Sequence, residues 1–182
     1  MKLVADGEER VQTLIVKKDP NSAGTETDIR AQVALLSELR EMSNSVVDMI
    51  NQMEWIRKQI IDLWEIHQDD KAAAPILVQG REFDQKLMAI EGDLIELRLT
   101  GGSQDWLRWP ARFYAKLSSL AGSVGSTDFP PTSQQAAVFE MYRMQLTSYR
   151  GQFDKLLKKD LLILNNLLRE KNIPAVTLLH VP

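Results

Sequence analysis

The chain has 182 residues, 44% of them hydrophobic and 26% charged, the balance of an ordinary globular domain with a sizeable core. Its formal net charge of -3 gives no overall pull toward nucleic acid or anionic membrane, and its lack of cysteine removes disulfides, thiolate metal sites and a Cys nucleophile. No apolar run approaches the roughly 18 residues of a membrane span, and the charged start at Met1–Gly7 leaves no room for a signal-peptide core. In chain order, Lys2–Ala5 and Val11–Lys17 are short β-type runs separated by Asp6-Gly7-Glu8-Glu9-Arg10, and Asp-Gly between such runs signals a hairpin. Two strands alone are marginal in water, so the hairpin either docks on the rest of the chain or belongs to a sheet with further strands.

Residues 18–24, Lys-Asp-Pro-Asn-Ser-Ala-Gly, form a breaker-rich linker. Thr25 and Thr27 then offer N-cap hydroxyls, with Glu26 and Asp28 placed where a helix N-terminus favours negative charge. Leu35, Leu39, Met42, Val46, Met49, Met53, Ile56, Ile60 and Leu63 recur in alternating steps of four and three. That seam predicts one long helix from near Thr27 to near Gln68. A second helix enters around Pro75 with Phe83, Leu87, Ile90, Leu94 and Leu97 inward, and stops at Thr100-Gly101-Gly102-Ser103. After Gln104 and the Trp106–Pro110 aromatic stretch, a shorter helix carries Phe113, Leu117, Leu120 and Val124 inward until Gly125–Pro131 ends it.

Thr132 or Ser133 caps the last helix, whose seam runs Phe139, Tyr142, Leu146, Tyr149, Phe153, Leu157, Leu161, Leu164 and Leu168 to about Lys171. Ile173–Pro182 reads as an extended tail with Val176, Leu178, Leu179 and Val181 available for docking. These elements predict an all-α protein: an elongated helical bundle of two long and two shorter helices, residues 21–182, behind a short β-hairpin at residues 1–20. The first and last helices each reach about 60 Å. Two long helices flanking a broken middle element bent at Gly101-Gly102 is the favoured arrangement, and an up-down-up-down bundle the alternative.

Residues that could carry chemistry are few. Glu65, His67, Asp69 and Asp70 cluster at one helix end, but neither histidine has Glu three residues before it, as a bundle di-metal site requires. His67 instead reads as the next seam position after Leu63. Glu82, Asp84, Glu91, Asp93 and Glu96 make the second helix acidic; without a facing cleft they read as a solvated face rather than an acid–base pair. The interleaved Asp154, Lys155, Lys158, Lys159 and Asp160 read the same way. The small-residue stretch Leu120–Gly125 lacks a nucleophile elbow and reads as a place of close helix approach. Trp106, Arg108 and Trp109 are the polar-aromatic group of interest. They could stack on a sugar ring or base, or the tryptophans could plug the bend while Arg108 bonds loop carbonyls. No catalytic residue, metal ligand or cofactor is expected.

Several segments together resemble the C-terminal helical region of bacterial sortilin-type, neuraminidase-repeat glycosyl hydrolase-like proteins. The junction Val16-Lys17-Lys18-Asp19-Pro20 is similar to that family's Val-x-x-Asp-Pro. Gln104-Asp105-Trp106-Leu107-Arg108-Trp109-Pro110 resembles its Gln-Asp-x-Leu-Arg-Tyr-Pro signature, with Trp109 in place of Tyr. Weaker matches lie at Ile50-Asn51, Arg57-Lys58-Gln59, Lys86-Leu87 with Glu91, Pro131-Thr132, Asn165 and Ile173-Pro174.

The resemblance implies that residues 1–20 end a truncated immunoglobulin-like domain and that the parent carries a β-propeller. The chain has no Ser-x-Asp-x-Gly-x-Thr-Trp propeller box and no counterpart of a sialidase nucleophile, so no catalytic role is carried over. The expected function is a non-catalytic structural or docking domain whose partner is the rest of its parent polypeptide, with an extracytoplasmic location implied by the resemblance. The alternative is a self-contained protein-interaction adaptor or homodimer using Leu36, Ile50 and Trp64 beside the main seam.

Overall fold

The computed structural model describes residues 1–99 and 105–179, and of residues 105 and 106 the backbone alone. It opens with an antiparallel hairpin of β1 (Lys2–Ala5) and β2 (Glu8–Val11), paired Lys2 to Val11 through Ala5 to Glu8. Asp6 and Gly7 both have positive φ, 53° and 82°, as a two-residue type I′ turn requires. That turn restarts the ladder at Glu8. The second strand therefore uses Glu8–Arg10, read above as a connector, and residues 12–19 carry no regular structure.

The helical body begins with α1 (Glu26–His67), where Thr25 and Asp28 form a reciprocal capping box. Asp70 caps a short 3₁₀ turn (Lys71–Ala73) that leads into α2 (Ala74–Leu94). The two helices run antiparallel: Arg57 meets Asp84 and Glu91, and Trp64 meets Arg81. A four-residue turn, α3 (Asp105–Arg108), precedes α4 (Phe113–Val124). The far end of α4 lies beside the start of α1, where buried Gln32 donates from Nε2 to the carbonyls of Val124 (2.8 Å) and Thr127. Thr132 and Gln135 form a second capping box at the head of α5 (Ser133–Leu156). A π-helical turn (Leu157–Leu161) joins α5 without a break to α6 (Leu162–Glu170).

The protein is an elongated helical bundle in which α1 and the α5–α6 rod flank a middle element made of α2 and α4. The seams close one core. Val46, Met53, Ile56, Phe83, Leu87, Leu94, Leu117, Leu164 and Leu168 are all fully buried within it.

Four expectations need correction. First, α2 ends at Leu94, not near Thr100: Ile95 turns extended (φ -133°, ψ 157°), and Leu97 is exposed rather than inward. Second, the last helix is not uniform. Its seam takes three successive steps of four, Tyr149–Phe153–Leu157–Leu161, one residue more than the alternation of four, three and four supplies. The π turn absorbs that residue and keeps Leu161, Leu164 and Leu168 on the core.

Third, Ile50 is buried and Leu36 packs on the core and beside Gly125, so of the three proposed partner-facing residues only Trp64 surfaces. Fourth, nothing lies close to the open side of Gly122, so the small-residue stretch does not serve close approach there. The expected bend at Gly101-Gly102, with Thr100, Ser103, Gln104 and Val181, lies outside the described residues.

Candidate functional site

The polar-aromatic group named from sequence falls where α2 gives way to α4. Trp109 is half-buried, and its ring lies under a guanidinium 3.6 Å from the ring centre; that guanidinium belongs to Arg98, not to neighbouring Arg108. Arg108 is exposed, and the Trp106 side chain lies outside the described residues.

Arg98 is held in turn by Glu96, through Nε at 2.5 Å and Nη2 at 2.8 Å, and Arg112 Nε reaches the same carboxylate at 3.1 Å. Glu96 is thus a clamp between the exit of α2 and the entry of α4, with its side chain only 6% exposed. Hydrogen bonds from Arg98 hold its carboxyl down to about 2, so it is ionised throughout the physiological range. An open recess of about 230 Å³ lies beside it, lined by Ile95, Leu99, Trp109, Pro110 and Tyr114.

A stability-versus-pH signature follows. A carboxyl held below its ordinary value contributes stability that is present above about 4.5 and is lost as pH falls through about 2. Glu96→Gln is therefore expected to be less stable than wild type at pH 5–7. The difference should narrow on acidification between pH 4.5 and 2, read from urea unfolding midpoints at each pH. A pH-independent difference would show that the Glu96 charge contributes nothing.

The second polar cluster bridges α1 and α2. Arg57 donates from Nε to Asp84 Oδ1 at 2.8 Å and from Nη1 to Glu91 Oε2 at 2.5 Å. Glu91 is 1% exposed, and burial pushes its carboxyl above the usual range against the pull of Arg57. A third pair, Lys86 with buried Asp160, ties α2 to the π turn. Glu91 and Asp160 thus correct the solvated-face readings, each buried against a cation, and half-buried Glu96 is held by two arginines. Asp84 joins Glu91 on Arg57.

Among the described residues no three His, Asp or Glu side chains converge as metal ligands, and Asp70 is engaged in capping. The buried carboxylates face cations across helix interfaces rather than each other across a cleft. Such an arrangement locks helices; it does not present an acid and a base to a substrate. No protein-family model matches the chain, and neither the curated proteins nor the solved structures compared with it include a match.

Proposed function

We propose that this chain is a non-catalytic helical domain that serves as the structural and docking end of a larger, exported β-propeller protein of the glycosyl hydrolase-like kind, joined to it through residues 1–20. The observation that carries this reading is the hairpin. Its strands pair in register, yet every strand residue is exposed, including Leu3, Val4 and Val11. Leu14, Ile15 and Val16 beyond it are exposed as well. A two-stranded ribbon with bare apolar side chains gains its stability from neighbouring strands, and the helical core closes without touching it.

The coding sequence upstream of Met1 tests the parent. In-frame propeller repeats followed by an immunoglobulin-like segment are expected, and an in-frame stop directly before Met1 overturns the reading. The chain itself should not turn over aryl glycosides; specific turnover abolished by one point substitution would refute the non-catalytic assignment.

A second reading, self-association, draws on Ile61, Trp64, Ile66 and Val78, exposed around the junction of α1 and α2 beside a recess of about 210 Å³. Sedimentation over a range of concentrations separates the two. A dimer dissolved by Ile61→Lys with Ile66→Lys favours the second, and a monomer throughout favours the first.

A further inference from the structure

The hairpin carries a register that reaches beyond its own two strands. Lys2 lies opposite Val11 and Ala5 opposite Glu8, and the pattern continues to Met1 opposite Gln12. There the Met1 amine donates to the Gln12 carbonyl at 2.7 Å, and the Gln12 N–H donates back to the Met1 carbonyl at 2.9 Å. Residues 1 and 12 are thus a doubly bonded pair. Alternation along an antiparallel ladder turns the backbone groups of Glu8, Arg10 and Gln12 toward β1, and those of Glu9 and Val11 away from it.

Nothing in the second strand's own sequence ends the ladder at Gln12. Val11, Thr13, Ile15 and Val16 are β-branched, and the first breaker is Asp19-Pro20. Yet Thr13–Val16 lie in no strand and make no hydrogen bond among the described residues. Leu14, Ile15 and Val16 are 60, 76 and 85% exposed, so three large apolar side chains in a row stand bare.

The ribbon is also polar at one end and apolar at the other. Asp6, Glu8, Glu9 and Arg10 surround the turn, where Lys2 pairs with Glu9 (2.5 Å) and Arg10 with Glu8 (3.5 Å). Continued in extended form, the strand puts Ile15 on the face of Val4 and Val11, and Leu14 and Val16 on the face of Leu3. A short run that is apolar on both faces has the pattern of a strand covered on both. The turn end suits water, and the far end suits the interior of a sheet.

We propose that residues 13–16 form a strand edge whose occupant is the stretch of the parent polypeptide directly before Met1, running on from β1 in the same register. Leu14, Ile15 and Val16 then lie opposite the second, third and fourth residues before Met1. Leu14 and Val16 each exchange two backbone hydrogen bonds with their opposites, as Gln12 does with Met1. The opposing residues are apolar, because directly opposed side chains share a face and an environment. The inference rests on the reading of residues 1–20 as part of a larger sheet, and adds to it the strand, the register and the bonded positions.

Residue-resolved amide hydrogen exchange tests it, comparing the 182-residue chain with the polypeptide translated from its own start codon. In the chain, the amides of Thr13–Val16 should all exchange as in an unstructured peptide. In the longer polypeptide, those of Leu14 and Val16 should slow by at least about a hundredfold. A cross-link reads the register without depending on exchange. Ile15→Cys should form a disulfide with a cysteine placed at the third residue before Met1, a directly opposed pair without mutual hydrogen bonds, and not with one placed two positions to either side.

An upstream segment that leaves Leu14 and Val16 fast, or slows only Thr13 and Ile15, overturns this inference and leaves the parent standing. A disulfide at a different position overturns the register. An in-frame stop directly before Met1 overturns the parent and this inference together. Protection of Leu14 and Val16 that grows with concentration in the 182-residue chain makes a second copy the occupant, and overturns the assignment.

Discussion

Arg57→Met is expected to destabilise the protein by about 3–5 kcal/mol at pH 7, the cost of leaving one partner of a buried pair uncompensated. Glu91 is almost completely enclosed between α1 and α2, and the 2.5 Å bond from Arg57 neutralises it. Methionine keeps most of the stem volume and removes only the cation. The sign of the pH dependence is fixed by the carboxyl. In wild type burial already outweighs Arg57 and raises Glu91 above 4.5; without Arg57 it must rise further. A raised carboxyl destabilises most where it is forced to ionise, so the deficit should be full at neutral pH. It should shrink as pH falls and Glu91 takes up its proton above pH 4.5. Urea unfolding at pH 7 and pH 5 reads both. Arg57→Met with Glu91→Leu should recover most of the loss, since an apolar pair can replace a buried ion pair at little cost. A single variant within about 1 kcal/mol of wild type, or a double variant no better than the single, would show that water reaches Glu91.

The seams were readable because a helix repeats its buried face in fours and threes whatever it packs against. Leu39 through Ile60 and Phe113 through Val124 are inward as their spacing requires. Charges were misread because a residue's partner is invisible along the chain: Glu91 meets Arg57 34 positions away, and Asp160 meets Lys86 74 away. A signal was nonetheless present. Glu91 stands four after Leu87 and three before Leu94, a seam position, and Arg57 stands four after Met53 and three before Ile60. Opposite charges on the seams of consecutive antiparallel helices predict a buried pair.

The Trp109 environment had no comparable signal. Neighbouring side chains diverge, so Arg108 at the end of α3 could not be expected to share a face with Trp109 just beyond it, and Arg98 arrives by tertiary folding. Gln59 and Asn165 stood out only as resemblance matches; that they and Gln52 bond the backbone of Thr177, Val176 and Leu179 had no signal for a related reason. An exposed amide on a helix looks like any solvated residue until a strand lies alongside it.

The middle element is where the bundle is most dependent on single side chains. The N-cap of α4, Arg112, is extended and supplies no capping hydrogen bond to the helix, so the helix is positioned by what its first residue touches. Phe113 is 1% exposed and sits edge-on to Tyr142 (ring centres 5.8 Å apart, planes at 83°) and Tyr149 (5.4 Å, 63°). Phe113→Ala removes the ring from a site that tyrosines on a continuous helix cannot easily move to fill. It is expected to cost about 3–5 kcal/mol in urea unfolding, cavity and lost edge-to-face contacts included. Phe113→Leu should recover more than half of that by restoring most of the apolar volume. The damage should be uneven. Amides of α4 should exchange by local opening well before those of α1 and α2, whose seam and Arg57 clamp are untouched. If instead Phe113→Ala melts every helix in one step with no early exchange in α4, the middle element is not the separable piece that its broken geometry implies, and the rod folds as one unit.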